Sequence, residues 1–159
     1  MIIDLCCGIG RFKHPVEEVV SLDFNPVTKP TILCDIKHLP FREGLRPDLV
    51  HASPPCKYFS ISRQRVYGHD HIGIAESLEL VAACFKAFHY LKTRHWTLEN
   101  PLGFLSRLFN EAKISYEVHD YTDKKTRFYT DMRSLRRAVI PDDVRQIILG
   151  EVYKDEMVP

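Results

Sequence analysis

The sequence predicts a single α/β domain built on a mainly parallel β-sheet with helices on both faces. Short apolar segments of strand length alternate along the chain with segments of helical periodicity. Glycine, proline and polar residues follow several of the apolar segments, as expected where strands end. Because parallel strands need crossover connections, which are usually helical, this alternation favours a parallel sheet.

The expected elements follow from the apolar spacing and the breaker residues. Residues 74–91 carry apolar side chains at the i, i+3, i+4 and i+7 positions of an amphipathic helix. Further helices are expected over 16–20, 102–112 and 141–149, the last beginning at a proline. Strands are expected over 1–6, 20–24, 31–36, 48–52, 95–98, 115–121 and 127–130.

Composition excludes several classes of protein. With 159 residues, 45% hydrophobic and 27% charged, the chain suits one compact domain and is neither disordered nor fibrous. The net charge of +1 creates no global attraction for nucleic acid or membrane, so such a partner would have to bind at a local basic patch. No apolar run approaches the roughly 18 residues of a membrane span, and the N-terminus has no signal-peptide layout. We therefore expect a soluble, intracellular protein without a membrane partner.

A small ligand is expected at the ends of the first three strands. Gly8 and Gly10 follow the first strand and allow a tight turn close to a ligand. Asp23 ends the second strand, where a carboxylate can accept hydrogen bonds from ribose hydroxyls, and Asp35 ends the third. The third glycine of a GxGxxG loop is absent, which favours an adenosine cofactor without phosphates. The alternative is that the glycines only form turns and the aspartates only cap strands.

A second group of reactive side chains follows the fourth and fifth strands. Cys56 comes after two prolines that stiffen the turn, and the adjacent Lys57 favours its thiolate form. Glu99 and Asn100 end the next strand, where a carboxyl group could donate a proton to a ring nitrogen. The alternatives are a structural cysteine in a rigid turn and a glutamate that caps a helix. The histidines and cysteines show no metal-ligand spacing, so no metal site is expected.

Three motifs together resemble those of the cytosine-C5 DNA methyltransferases, which use S-adenosylmethionine. Residues 4–10, DLCCGIG, are similar to the DLFxGxG cofactor loop of that family. Residues 53–60, SPPCKYFS, are similar to its GPPCQxFS nucleophile motif, and 99–101, ENP, to its ENV motif. The order and spacing match over roughly residues 1–130. The resemblance implies a Rossmann-like class I methyltransferase fold.

The resemblance also implies a role for each matching residue. Cys56 would attack C6 of a cytosine flipped out of the duplex, and Glu99 would hold the N3 side of the ring. Asn100 and Arg127 would complete the catalytic group. Asp23 would bind the ribose of S-adenosylmethionine and Asp35 its adenine. The whole cofactor site implied by the resemblance is Asp4, Leu5, Cys6, Gly8, Gly10, Asp23, Phe24, Asp35, Ile36, Ser53 and Pro54.

The chain departs from the family pattern at several positions. Lys57 replaces a glutamine, Pro101 replaces a valine, and the QxRxR motif corresponds to residues 125–129 with only Arg127 retained. About 30 residues follow, which leaves no room for a separate target-recognition domain. We therefore expect residues 1–159 to form one minimal catalytic domain, with a homodimer as one way to extend the DNA contact. The small size suggests a restriction-modification or viral source, hence the cytoplasm or a host's cytoplasm.

Two local basic segments are candidates for DNA contacts. Residues 124–137 contain six Lys or Arg residues and one acidic residue. The segment after Cys56 interleaves cations with aromatic side chains, which can stack on an extruded base. The alternative for both is an ordinary solvated face. The DNA-binding candidates are Lys57, Arg63, Arg65, Lys124 and Lys125.

Two other functions stay open at this point. An exocyclic-amino DNA methyltransferase, acting on adenine N6 or cytosine N4, would use Ser53-Pro54-Pro55, with Cys56 only occupying the place of its aromatic residue. A non-catalytic nucleic-acid-binding module would keep the fold without the activity. RNA stays open as the substrate because base flipping does not distinguish the two nucleic acids.

Overall fold

The protein is built around a seven-stranded, mostly parallel β-sheet. The computed structural model describes residues 1–9, 18–60, 66–101, 103–111, 117–120 and 126–131. The strands are β1 (Ile2–Leu5), β2 (Val19–Asp23), β3 (Ile32–Leu33), β4 (Leu49–Ala52), β5 (His95–Pro101), β6 (Glu117–Asp120) and β7 (Thr126–Thr130). Their order in the sheet is β3-β2-β1-β4-β5-β7-β6. The first five strands pair in parallel, and β7 is antiparallel to both β5 and β6.

This strand order confirms the mixed α/β class and the mainly parallel sheet. It corresponds to the doubly wound order 3-2-1-4-5-6 with one antiparallel strand inserted between the last two. The order reverses between β1 and β4, and in such sheets ligands bind beyond the carboxyl ends of the strands at that point. The architecture is therefore compatible with a Rossmann-like fold.

Besides the strands, the elements assigned within the described residues are two α-helices and two short 3-10 helices. The α-helices are α1 (His71–Leu91) and α2 (Phe104–Glu111), and the 3-10 helices span Pro26–Thr28 and Ile36–His38. Asp70 caps α1, since its Oδ1 accepts a hydrogen bond from the Gly73 amide at 2.9 Å. The helix ends at Lys92, which adopts a left-handed conformation with φ 51°. In the described part of the chain, no helix is long and apolar enough to cross a membrane.

Both described α-helices pack into one apolar core. Alternate strand residues such as Ile3, Val50 and Leu98 belong to this core, together with buried side chains of α1 and α2. An aromatic cluster joins the two helices to the sheet, with ring centroids 5.0–5.5 Å apart in the pairs Phe85–Phe109, Phe88–Trp96 and Phe109–Tyr129. The opposite face of the same strands is also buried but is largely polar.

Several expected boundaries were wrong, each for a local reason. Of the helix expected over 16–20, residues 16 and 17 lie outside the described residues, and its end was wrong because Val19 and Val20 belong to β2 and pair with β1. The third strand has only two residues, because Asp35 caps a 3-10 helix instead of continuing the strand. The fifth strand extends to Pro101. Proline has no backbone N–H to donate, and this is tolerated at the end of a strand. The helix expected over 141–149 lies outside the described residues.

We expect Leu91→Ala to destabilise the fold by about 2–5 kcal/mol, the usual cost of a cavity in a packed core. Leu91 is 0% exposed at the end of α1. Ile72→Ala in the first turn of α1 is the matched control, because Ile72 is 75% exposed, and it should change stability by about 0.5 kcal/mol or less. Urea unfolding followed by circular dichroism measures both. Equal effects would contradict the assignment of the core.

Candidate functional site

A cleft of about 330 Å³ opens at the carboxyl ends of the parallel strands. Its volume lies in the range of small-molecule sites, roughly 300–1,000 Å³. The loops after β1, β2, β3 and β4 all contribute to it, as the topology of a parallel sheet requires. The lining residues are Cys6, Gly8, Leu22, Asp23, Phe24, Asn25, Thr28, Cys34, Asp35, Ile36, Ser53, Pro55 and Leu80.

Asp23 holds two of these loops together. Its Oδ2 accepts a hydrogen bond from the Gly8 amide at 2.9 Å, and its Oδ1 accepts one from the Asn25 amide at 2.8 Å. Cys6 and Gly8 both have positive φ angles, 53° and 55°, so the chain turns sharply after β1. Each carboxylate oxygen keeps a second lone pair for a ligand. The Asp23 carboxylate therefore holds the loops that form the cleft and can also accept hydrogen bonds from a ligand in it.

An acidic and an aromatic side chain, Asp35 and Phe24, also line the cleft. Asp35 Oδ1 accepts a hydrogen bond from the Lys37 amide at 2.9 Å. Phe24 is 71% exposed although it lines the cleft, so its ring is available to a flat ligand. A carboxylate and an exposed ring in one cleft suit a planar group that carries hydrogen-bond donors.

Most of the predicted cofactor residues meet in this cleft, and a few do not. Cys6, Gly8, Asp23, Phe24, Asp35, Ile36 and Ser53 line it. Asp4 and Leu5 are instead buried within β1. The lining proline is Pro55, whereas the carbonyl of Pro54 accepts a hydrogen bond from Asn100 Nδ2 at 3.3 Å. Leu80 could not be found from strand ends, because it comes from α1.

The ends of β4 and β5 are joined by side chains. Ser53 Oγ donates a hydrogen bond to Glu99 Oε2 at 3.2 Å. The buried His51 contacts the same serine, with Nε2 2.8 Å from Ser53 Oγ, and its Nδ1 lies 2.8 Å from Thr97 Oγ1. Sequence reasoning missed His51 and Thr97. Their only signal is spacing, since each lies two residues before a predicted site residue and so on the same face of its strand.

Cys56 is exposed at the start of a tight turn. Its carbonyl accepts hydrogen bonds from the amides of Phe59 and Ser60 at 3.0 and 3.2 Å. The buried Phe59 anchors this turn in the core. The thiol therefore lies on an anchored loop, three residues after the serine that contacts Glu99.

A polar and aromatic cluster ties the Cys56 loop to the start of α1. Lys57 Nζ lies 4.9 and 4.3 Å from the ring centroids of Tyr58 and Tyr67 and donates a hydrogen bond to the Tyr58 hydroxyl at 3.3 Å. Tyr58 donates a hydrogen bond to Asp70 Oδ2 at 2.8 Å. The Gly73 amide and, second, the Tyr58 hydroxyl lower the pKa of Asp70. A Cβ at Gly73 would overlap the Tyr58 ring, so the close approach requires glycine.

The buried thiols differ from Cys56 in their chemistry. Burial, with the charges of Asp4 and Asp23 as smaller causes, raises the pKa of Cys7 to about 11. Cys84 is fully buried, and its contact with Cys6, together with burial, raises its pKa well above the usual range. These two thiols are therefore poor nucleophiles near neutral pH.

The remaining predicted site residues fall partly outside the described chain. Gly10, Arg63, Arg65, Lys124 and Lys125 lie outside the described residues. Arg127 is known by its backbone register, in which it pairs with Asn100 across β5 and β7. The side chain of Asn100 is buried, and its Oδ1 has no hydrogen-bond partner in the described segments.

A larger groove of about 690 Å³ is lined by α1 and by residues 36–39. It shares Ile36 with the cleft and no other predicted site residue. Lys37 and Glu79 form an ion pair of 2.8 Å there, and both side chains are substantially exposed. The smaller cleft is the better candidate, because it lies at the strand ends where the carboxylates and the Ser53–Glu99 contact converge.

No protein-family model matches the chain, and no curated protein sequence matches it. Among solved structures, the chain is similar to the PH0226 protein from Pyrococcus horikoshii OT3, with 15% sequence identity and a TM-score of 0.45 over 80% of this chain. The chain spans 64% of the length of that protein. A likeness this distant supports no functional argument.

We expect a brief treatment with iodoacetamide at pH 8 to label Cys56 well before Cys7. A thiol with a pKa of about 11 has only about a thousandth of its population as thiolate at that pH, and burial slows it further. Peptide mass spectrometry with fragmentation measures the rate at each cysteine. Cys56→Ser and a urea-unfolded sample are the controls; comparable native rates at the two thiols would contradict this geometry.

Proposed function

We propose that the protein is an S-adenosylmethionine-dependent DNA methyltransferase that methylates cytosine at C5. The observation that carries the proposal is the hydrogen bond of 3.2 Å between Ser53 and Glu99. It joins the loop of the exposed Cys56 to a carboxyl group beside the cleft lined by Asp23 and Phe24. A nucleophile, an acid and a cofactor cleft at one sheet edge are what C5 transfer needs. This proposal interprets the α/β sheet as a class I methyltransferase fold.

The cleft suits S-adenosylmethionine in size and in the groups it presents. Asp23 can accept hydrogen bonds from ribose hydroxyls, and Asp35 from the adenine amino group. The exposed ring of Phe24 can stack on adenine. The sharp turn at Gly8 lets the backbone approach a ligand closely. When bound, S-adenosylmethionine supplies an electrophilic methyl group.

The residues of this chain would carry the remaining chemistry. The Cys56 thiolate forms a bond to C6 of the base, and the electron pair of the C5–C6 double bond is delocalised toward N3 and C5. Glu99 donates a hydrogen bond or a proton at N3 and so stabilises the negative charge there. After C5 has accepted the methyl group, it loses its proton to solvent. The C6–S bond then breaks and restores both the double bond and the thiolate.

The base must reach these groups from outside a duplex. Flipping the base out costs a few kcal/mol. Contacts with the phosphates of the DNA backbone would offset this cost, and the candidates for them are Lys57, Arg63, Arg65, Lys124 and Lys125. DNA is the proposed partner, and RNA is the second nucleic acid to test. A homodimer would extend the contact with DNA; sedimentation that shows only monomer on DNA would contradict it.

The exocyclic-amino reaction is the second candidate. Ser53 and Pro55 line the cleft, so the Ser-Pro-Pro segment faces the region where an amino group would be methylated. In that reaction Cys56 has no covalent role. Replacing Cys56 by serine separates the two reactions.

We expect nucleoside mass spectrometry of mixed-sequence DNA, incubated with the protein and S-adenosylmethionine, to show 5-methylcytosine. Cys56→Ser should abolish this product, because the covalent step requires a thiolate. Calorimetry of Cys56→Ser with S-adenosylmethionine is the control, and its affinity should match that of the wild type because Cys56 does not line the cleft. N6-methyladenine or N4-methylcytosine that survives in Cys56→Ser would establish the amino reaction instead. No methylated nucleoside from DNA or RNA would favour a non-catalytic binding module.

We expect Phe24→Ala to weaken the binding of S-adenosylmethionine without changing the melting temperature. Stacking of a base on an aromatic ring contributes about 1–3 kcal/mol, or roughly 5- to 150-fold in Kd. Val27→Ala is the matched control, since Val27 is 74% exposed and does not line the cleft. Isothermal titration calorimetry measures both variants. Equal affinities of Phe24→Ala and the wild type would contradict the stacking of the cofactor on Phe24.

A further inference from the structure

A row of buried polar side chains crosses the sheet on the face opposite the apolar core. Direct register neighbours on β2, β1, β4, β5 and β7 contribute one residue each, in the order Ser21, Asp4, His51, Thr97 and Thr130. All five are buried. Burial of polar groups costs free energy unless they are hydrogen bonded, so such a row is unlike an ordinary core.

A continuous chain of hydrogen bonds leads from the centre of this row to Glu99. His51 is 0% exposed, with Nδ1 2.8 Å from Thr97 Oγ1 and Nε2 2.8 Å from Ser53 Oγ. Ser53 Oγ lies 3.2 Å from Glu99 Oε2, whereas the direct distance from His51 Nε2 to that oxygen is 3.8 Å. The serine hydroxyl is therefore the link through which the imidazole acts on the carboxyl group.

The donors and acceptors along this chain are consistent in one direction for both protonation states of Glu99. The Thr97 hydroxyl can donate to Nδ1 of His51, Nε2–H of His51 can donate to Ser53 Oγ, and Ser53 donates to Glu99 Oε2. Oε2 can accept this hydrogen bond whether Glu99 is ionised or carries its proton on Oε1. In the protonated state the Oε1 proton is therefore left for the base, as donation to N3 requires.

We propose that His51 is a positioning residue, which acts through Ser53 to keep the Glu99 carboxyl group oriented toward the base in both of its protonation states. This inference rests on the proposed function, in which Glu99 donates to N3 and recovers its proton in each cycle. A carboxyl group held on one side by Ser53 has its second oxygen left for the base. Preorganisation of this kind is needed because a small misorientation of an acid is costly to the rate.

The principal test uses Ser53 rather than His51, because an altered fully buried histidine risks unfolding. At saturating S-adenosylmethionine, Ser53→Ala should lower kcat by about tenfold or more with the KM for DNA little changed, since the lost contact acts on the reacting groups rather than on the binding of DNA. Because Ser53 also lines the cofactor cleft, calorimetry measures the Kd of S-adenosylmethionine for the same variant. Ser53→Thr keeps the hydroxyl and should retain activity within about threefold. Ser21→Ala is the matched control: it removes another buried hydroxyl from the same face, bonded to Thr31 at 3.1 Å, and should leave kcat unchanged.

A double-mutant cycle separates positioning from a merely structural role. In the Glu99→Gln background, Ser53→Ala should add less than about twofold, because its effect passes through the carboxyl group that is already absent. A full additive loss in that background would overturn the inference and leave the proposed function intact. So would an unchanged kcat in Ser53→Ala.

A second measurement examines the chain without requiring activity. Nitrogen-15 NMR of the histidine side chains should show His51 neutral with one defined tautomer, and Ser53→Ala should change its Nε2 resonance. A His51 that averages between tautomers, or does not respond to Ser53→Ala, would overturn the inference. If the wild type binds S-adenosylmethionine but methylates no nucleic acid, the proposed function is overturned, and the positioning role of His51 with it. In that case the NMR result still decides whether the hydrogen-bond chain exists.

Discussion

The parallel register between β4 and β5 is the constraint on which the site depends. His51 pairs directly with Thr97, so the residues two positions further, Ser53 and Glu99, emerge on the same face at adjacent strand ends. A slip of one residue would turn one of the two side chains to the opposite face and separate them. The interstrand backbone hydrogen bonds therefore determine which side chains meet at the candidate site as well as the fold.

The two faces of the sheet differ in polarity and in what they contribute to the structure. The face under α1 and α2 is apolar and aromatic, and its packing makes the strands rigid. The opposite face places hydroxyl, imidazole and carboxyl groups in register, with contacts of 2.8 Å on both sides of the His51 ring. A polar row of this kind is stable only where its members satisfy one another, and that requirement restricts each side chain to one orientation.

The loops that follow the strands form the walls of the cleft, and hydrogen bonds hold these loops in place. Asp23 connects the turns after β1 and β2 through two backbone amides. On the other side, Tyr58 lies over Gly73 and bonds the cap of α1, which ties the Cys56 loop to a helix that is itself anchored in the core. A cleft formed by anchored loops needs little rearrangement to bind a ligand.

The sequence by itself determined the α/β class, the mainly parallel sheet and the placement of Asp23, Ser53, Cys56 and Glu99 at or soon after the second, fourth and fifth strands, because these depend on local periodicity and on turn residues. It did not determine that the fifth strand continues past Glu99 to Pro101. It did not determine the two-residue length of β3 or the antiparallel insertion of β7, since caps and strand partners distant in sequence decide both. The only sequence signal for His51 and Thr97 was their spacing of two residues from Ser53 and Glu99, because nothing in a buried histidine's own segment shows which hydroxyls it will meet. Only the register of β4 against β5 decided that, and with it the contact between Ser53 and Glu99.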